Sequence, residues 1–170
     1  MADDQRFFFL DLRSAGVQGA STKITHEGWL ELDSWTFTMT QSAEPNVGGG
    51  QPKGTAASGR FGFSIKHAGP QVFKNVAQGA NIAGPVTFEA ERGGINVGSA
   101  TGTKPTATYL RLVFNNLVVS GRSLAGDSTQ KMEHIELTFQ IVAFSYAQIL
   151  NGSAGPMTTK TYDVKQNMVT

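Results

Sequence analysis

Glu89 and Glu91 stand two residues apart in the stretch PVTFEAER, a spacing that puts both carboxylates on one face of a β-strand. Paired carboxylates can divide general acid and general base work, as in glycoside hydrolysis. Such pairs ordinarily come from different elements flanking a cleft. Here Arg92 and lysine side chains can screen the charges, and the plain alternative is a solvated strand face. His26, His67 and His134 share no metal-ligand spacing, so surface or hydrogen-bonded histidines outweigh a trio assembled in space. The chain has no G-x-S-x-G, no H-E-x-x-H and no P-loop pattern. GGINVGSATG lacks the G-x-G-x-x-G spacing and lies in no βαβ unit, which leaves it a plain loop. Asn151, Gly152 and Ser153 match a glycosylation acceptor, which means little without a secretion signal. With zero cysteines, disulfides, thiolate metal sites and a cysteine nucleophile are all excluded. The expectation is a protein with no catalytic residues, no metal and no cofactor.

The elements that carry these residues are those of a single domain over 1–170, long enough to need no covalent staple. Charged residues make up 16% and the formal net charge is +1, so no global field draws nucleic acid or anionic lipid. The opening MADDQRFFFLDL carries acids where a signal peptide has positive charge, and no cleaved signal is expected. No apolar run approaches the roughly 18 residues of a membrane span, so no membrane insertion is expected.

Residues 28–41, GWLELDSWTFTMTQ, hold both tryptophans and anchor the predicted architecture. Leu30 and Leu32 mark one buried parity; Trp35, Phe37 and Met39 mark the other. A shift of this kind needs a bulge or bend, placed near Asp33 and Ser34. Trp35 alone can remove roughly 200 Å² from water, about 5 kcal/mol as an upper bound, and is expected at the centre of the core. Phe37, Phe63, Phe73 and Phe139 are the other expected core anchors. Further strands are expected over 5–12, 60–66, 85–92, 106–120, 131–150 and 158–165, the fifth changing its apolar parity between Ile141 and Phe144. A glycine-containing turn is expected over 121–130. One short helix is expected over about 69–79, with Pro70 in its first turn, Gly79 past its end, and Val72, Phe73, Val76 and Ala77 as its apolar stripe. Residues 42–59 are rich in glycine and proline and read as an extended loop. Residues 166–170 read as a short tail. The fold class is mainly β: a single-domain β-barrel of two packed antiparallel sheets with the helix at its side.

Four stretches together carry a resemblance: GVQGASTKITHEGWLELDSWTFTMTQ, FSIKHAGPQVFKNVAQG, TYLRLVFNNLVVSGRS and GDSTQKMEHIELTFQIVAFSYAQI. In order, spacing and total length the chain resembles the haemolysin-coregulated protein family, Hcp, whose members form the tube of bacterial type VI secretion. The pattern departs at Gly69, where a helix-capping serine is usual, and at Gly121, where a turn serine is usual. The resemblance implies six copies in a flat ring and rings stacked into a hollow tube. It implies propulsion from the cell by a contractile sheath, effectors carried in the lumen, and the spike, sheath and effector proteins as partners. It also implies synthesis in a bacterial cytoplasm and secretion without a cleaved signal, with no cofactor and no catalytic residues in the domain. Under it, Glu44, Asn46, Val47, Gln51 and Lys53 of the long loop become candidates for contact with a neighbouring ring. Thr36, Thr38 and Thr40 become candidates for the lumen or for a subunit contact. Alternatives are a phage-like tail-tube subunit and a monomeric β-sandwich binding module using Tyr146 or Tyr162. A hydrolase with a spatially assembled site is the third.

Overall fold

The computed structural model describes residues 5–42, 55–66, 69–93, 106–126, 131–150, 153–166 and 168–170. Among the described residues, ten strands and one α-helix follow in chain order. They are β1 (Arg6–Asp11), β2 (Leu30–Glu31), β3 (Ser34–Ser42), β4 (Thr55–Ile65), α1 (Gly69–Gln78), β5 (Asn81–Ile82), β6 (Val86–Arg92), β7 (Ala107–Gly126), β8 (Lys131–Leu150), β9 (Ser153–Asp163) and β10 (Met168–Val169). Every pairing is antiparallel, in the order β10-β9-β8-β7-β6-β1-β2, with β3 on β4 and β4 on β8.

The bend at Asp33 turns this sheet back on itself. The Leu32 amide donates to the Phe8 carbonyl of β1, while the next amide, Asp33, donates to the Ser64 carbonyl of β4, each at 2.9 Å. Successive residues thus bond to opposite ends of the path β1-β6-β7-β8-β4. The barrel returns on itself through this bend, and no ladder joins β3 to β1 among the described residues. The parity change expected near Asp33 is this corner.

A second parity change crosses two strands. On β8, Ile135, Leu137 and Phe139 are buried, then Val142; on β7, Phe114 is buried, then Leu117 and Val119. Asn116 sits at the switch with φ of +53°, a left-handed conformation that asparagine tolerates better than most residues, and its amide reaches Gln140 Oε1 at 3.4 Å. On one side of this kink β8 pairs with β4, and on the other with β9. The β8–β9 hairpin consequently diverges from the barrel as a wing.

The interior is aromatic. Phe61 on β4 lies 5.0 Å, ring to ring, from both Phe88 on β6 and Phe114 on β7. Since β4 pairs with neither strand, these contacts cross from one layer to the other. Phe61, Phe63, Phe88, Phe114, Leu112, Ile135 and Leu137 are fully shielded from solvent. Phe139 is 3% exposed. Trp35 is not the centre: it and Phe37 are only partly buried and pack against the cluster from its edge. The reason is position, because β3 pairs with β4 alone and its flank lacks a covering strand among the described residues.

Helix α1 starts at Gly69 and ends before Gly79, whose φ of +57° is the left-handed stop that glycine adopts freely. Val72 is wholly buried and Val76 partly, but Ala77 is exposed and Asn75 takes the inner position. Asn75 Nδ2 donates to the Ala15 carbonyl at 3.0 Å, which pins the helix to the turn after β1. The Phe73 side chain lies outside the described residues.

Five sequence boundaries moved. No turn begins at Gly121: β7 continues to Gly126, helped by Arg122, which bonds Glu133 across the β7–β8 pair at 3.0 Å. The expected loop shrinks at both ends, since Ser42 pairs with Thr55 and the ladder runs on from there. These flanking residues are small and polar, and backbone pairing rather than apolar alternation makes them strand. Likewise β9 begins at Ser153 instead of residue 158, and Met168 and Val169 pair with β9 where a free tail was expected.

Candidate functional site

The residues with chemical potential converge on the outer face of β6. Alternation turns Val86, Phe88 and Ala90 into the barrel and Glu89 and Glu91 out of it. Yet the glutamates are 7% and 4% exposed, so the expected solvated face is in fact buried. The cover is segment 17–29. It folds over β1 and β6 because Gly19 lies directly against Trp29: a Cβ there would fall 1.9 Å from the Trp29 carbonyl oxygen. The Gly19 amide donates to the Gly28 carbonyl at 2.8 Å and the Ser21 amide to the Trp29 carbonyl at 3.2 Å.

This segment carries Lys23 just before and His26 at the end of a 3-10 turn, Ile24–His26. His26 is 2% exposed, stacked on Phe9 at 4.2 Å with the edge of Trp29 at 4.7 Å. Its Nε2 donates to Glu89 Oε2 at 2.9 Å, since a carboxylate can only accept, and its Nδ1 meets the Thr25 hydroxyl at 2.8 Å. Arg111 Nε, from β7, donates to Glu89 Oε1 at 2.7 Å. Lys23 Nζ donates to Glu91 and, at 2.9 Å, to the Thr106 hydroxyl. That ammonium also lies 5.1 Å from the centre of the Phe9 ring.

His26, Glu89 and Glu91 bring potential ligand atoms within 4.8 Å of one another, a grouping that could hold a metal ion by distance alone. The donor chemistry does not favour it. Lys23 and Arg111 already supply two positive charges to two carboxylates, and the histidine nitrogen facing Glu89 carries a proton. No buried side-chain nitrogen or oxygen among the described residues lacks a partner. A general acid or base needs a cleft and an available lone pair; this cluster has its oxygens committed and is shielded from solvent. Its geometry suits a buried polar clamp holding segment 17–29 to the barrel. Sequence spacing could not join His26 to Glu89, which lies 63 residues away; the one signal was two glutamates among the apolar residues of β6.

The threonines lie elsewhere. Thr36, Thr38 and Thr40 are exposed on the outer face of β3, opposite Trp35 and Phe37. Register carries that face onward from Thr36 to Gly62 and Glu136, and from Thr38 to Arg60 and Thr138. Arg60 and Glu136 form an ion pair at 3.3 Å, and Ser64 Oγ meets His134 Nδ1 at 3.1 Å. The outcome is a polar sheet face with small side chains and paired charges. Glu44, Asn46, Val47, Gln51 and Lys53, together with His67, lie outside the described residues.

Barrel, side helix and divergent hairpin define a class of small β-barrel folds. The family model described as "Type VI secretion system effector, Hcp" matches residues 9–146, and the chain belongs to that family. Solved structures agree on the fold. Hcp1 from Salmonella typhimurium is 24% identical with a TM-score of 0.69, the match covering 97% of this chain and 99% of that one. Hcp2 from the same organism is 23% identical with a TM-score of 0.60, over 95% and 98%. A type VI secretion system effector from Yersinia pestis is 19% identical with a TM-score of 0.60, over 94% and 100%. Comparison with curated proteins gave no match.

Proposed function

We propose that this chain is a structural subunit of the type VI secretion inner tube, assembling as six-membered rings that stack around a hollow lumen. The observation that carries the assembly is the pair of strands left open on one side. Among the described residues β3 pairs with β4 alone, and β9 beyond the two residues that meet β10 pairs with β8 alone. Unpaired edges on separate parts of a subunit invite a head-to-tail contact, and a head-to-tail contact that closes makes a ring.

In this reading the polar face of β3, β4 and β8 lines the lumen. Threonine hydroxyls and a compensated Arg60–Glu136 pair offer hydrogen bonds without a strong field or a large apolar patch, which suits the passage of varied effector proteins. The buried clamp of His26, Glu89 and Glu91 serves assembly rather than chemistry, and the protein has no enzymatic role. Its partners are further copies of itself and the spike, sheath and effectors of the same machine. It leaves the bacterial cytoplasm through that machine. Negative-stain images of the purified protein test this: end-on six-membered rings are expected, and uniform monomer-sized particles at high concentration would contradict it.

A further inference from the structure

Ile24 is 95% exposed, far more than any other large apolar side chain described. Its exposure is imposed. The residues beside it in the turn, Lys23 and His26, are anchored to Glu91 and Glu89, and the His26 amide closes the turn on the Lys23 carbonyl at 2.8 Å. The isoleucine therefore stands out as a fixed knob, with the exposed Glu27 three residues on.

A matching hollow lies on the β8–β9 wing. Past the Asn116 kink, Phe144, Tyr146 and Leu150 are 40%, 48% and 60% exposed. With Ala154, Pro156 and Lys160 of β9 they line a groove of about 660 Å³. Phe144 pairs in register with Leu112, on the barrel-facing side of the sheet, whereas Glu89, under the knob, pairs with Arg111 on the opposite side. Knob and groove thus occupy opposite faces of one sheet, with β7 between the strands that carry them. A chain cannot fill its own groove. Two copies can, head to tail, and the contact would place acidic Glu27 beside basic Lys160.

We infer that Ile24 of one copy enters the groove between Phe144, Tyr146 and Leu150 of the next, as a knob-in-groove contact that sets the direction of the ring. The inference rests on the ring reading and adds to it the element that seats in the groove. Because the chain has no cysteine, an Ile24→Cys, Leu150→Cys double variant reports the contact directly. Mild oxidation is expected to give a ladder of disulfide-linked oligomers, while a mixture of the two single variants stops at dimers. Ile24→Asp, at an exposed position, is expected to keep the wild-type melting temperature and shift rings to monomers. Wild-type-like rings from Ile24→Asp, or a disulfide within one chain, would overturn the inference and leave the ring reading standing. A wild-type protein that is itself monomeric would overturn both.

Discussion

His26 Nε2 lies 2.9 Å from Glu89 Oε2 across 63 residues of sequence, and this bond joins segment 17–29 to the strand that faces the Phe61 core from the other side. Both partners are nearly inaccessible to water. Removing the carboxylate leaves Arg111 without its partner and the imidazole proton without an acceptor. Glu89→Ala is expected to lower unfolding free energy by roughly 3–5 kcal/mol, the range for breaking a buried pair. Urea denaturation measures it, and a loss below about 1 kcal/mol would show that the clamp is peripheral to stability.

Gly19 has a stricter constraint. A methyl group there collides with main chain, not with the far end of a flexible side chain, because the Trp29 carbonyl carbon would lie 2.1 Å away. Gly19→Ala should destabilise by roughly 3 kcal/mol, at the upper end for forced overpacking, and should expose the Trp29 side of the barrel. Tryptophan fluorescence during denaturation reads both effects. Unchanged stability would mean that segment 17–29 packs differently.

Asp11 gives a pH dependence with a defined sign. The Arg13 side chain, bonded through Nε and Nη2 at 2.8 Å each, holds its carboxyl below the ordinary value of 3.8. A depressed folded-state value stabilises above the unfolded pKa, and the stabilisation is lost as pH falls through the folded one. Arg13→Ala should therefore be less stable than wild type at neutral pH. The difference should shrink steadily below about pH 4. Denaturation midpoints across that window check it; a difference that grows with acidification would reverse the assignment.

The connection between β3 and β4 is the proposed link between rings. Deleting residues 45–54 should spare the ring and abolish end-to-end stacking. Electron micrographs of the deletion variant at high concentration decide the matter, and full-length tubes would sink the idea.

What the sequence revealed and what it concealed follow from range. The Asp33 corner was legible because Leu30, Leu32, Trp35 and Phe37 change parity within one strand, and a parity change is local. The limits of β8 were legible for the same reason. Gly121 misled because a glycine after an apolar run normally ends a strand, whereas here Arg122 and Glu133 continue the pairing. Trp35 was overrated because side-chain size says nothing about whether a strand sits at an edge. Phe144 reads as the start of a second apolar parity, yet with Tyr146 it lines the wing's open groove, since periodicity cannot tell a face covered within the chain from one left for another copy. The clamp at His26 was invisible because its members come from three distant parts of the chain.

Native mass spectrometry of the purified wild-type protein tests the central claim most directly. The account predicts a dominant species of six chain masses with no bound cofactor required for assembly. A clean monomer persisting at high concentration would contradict it.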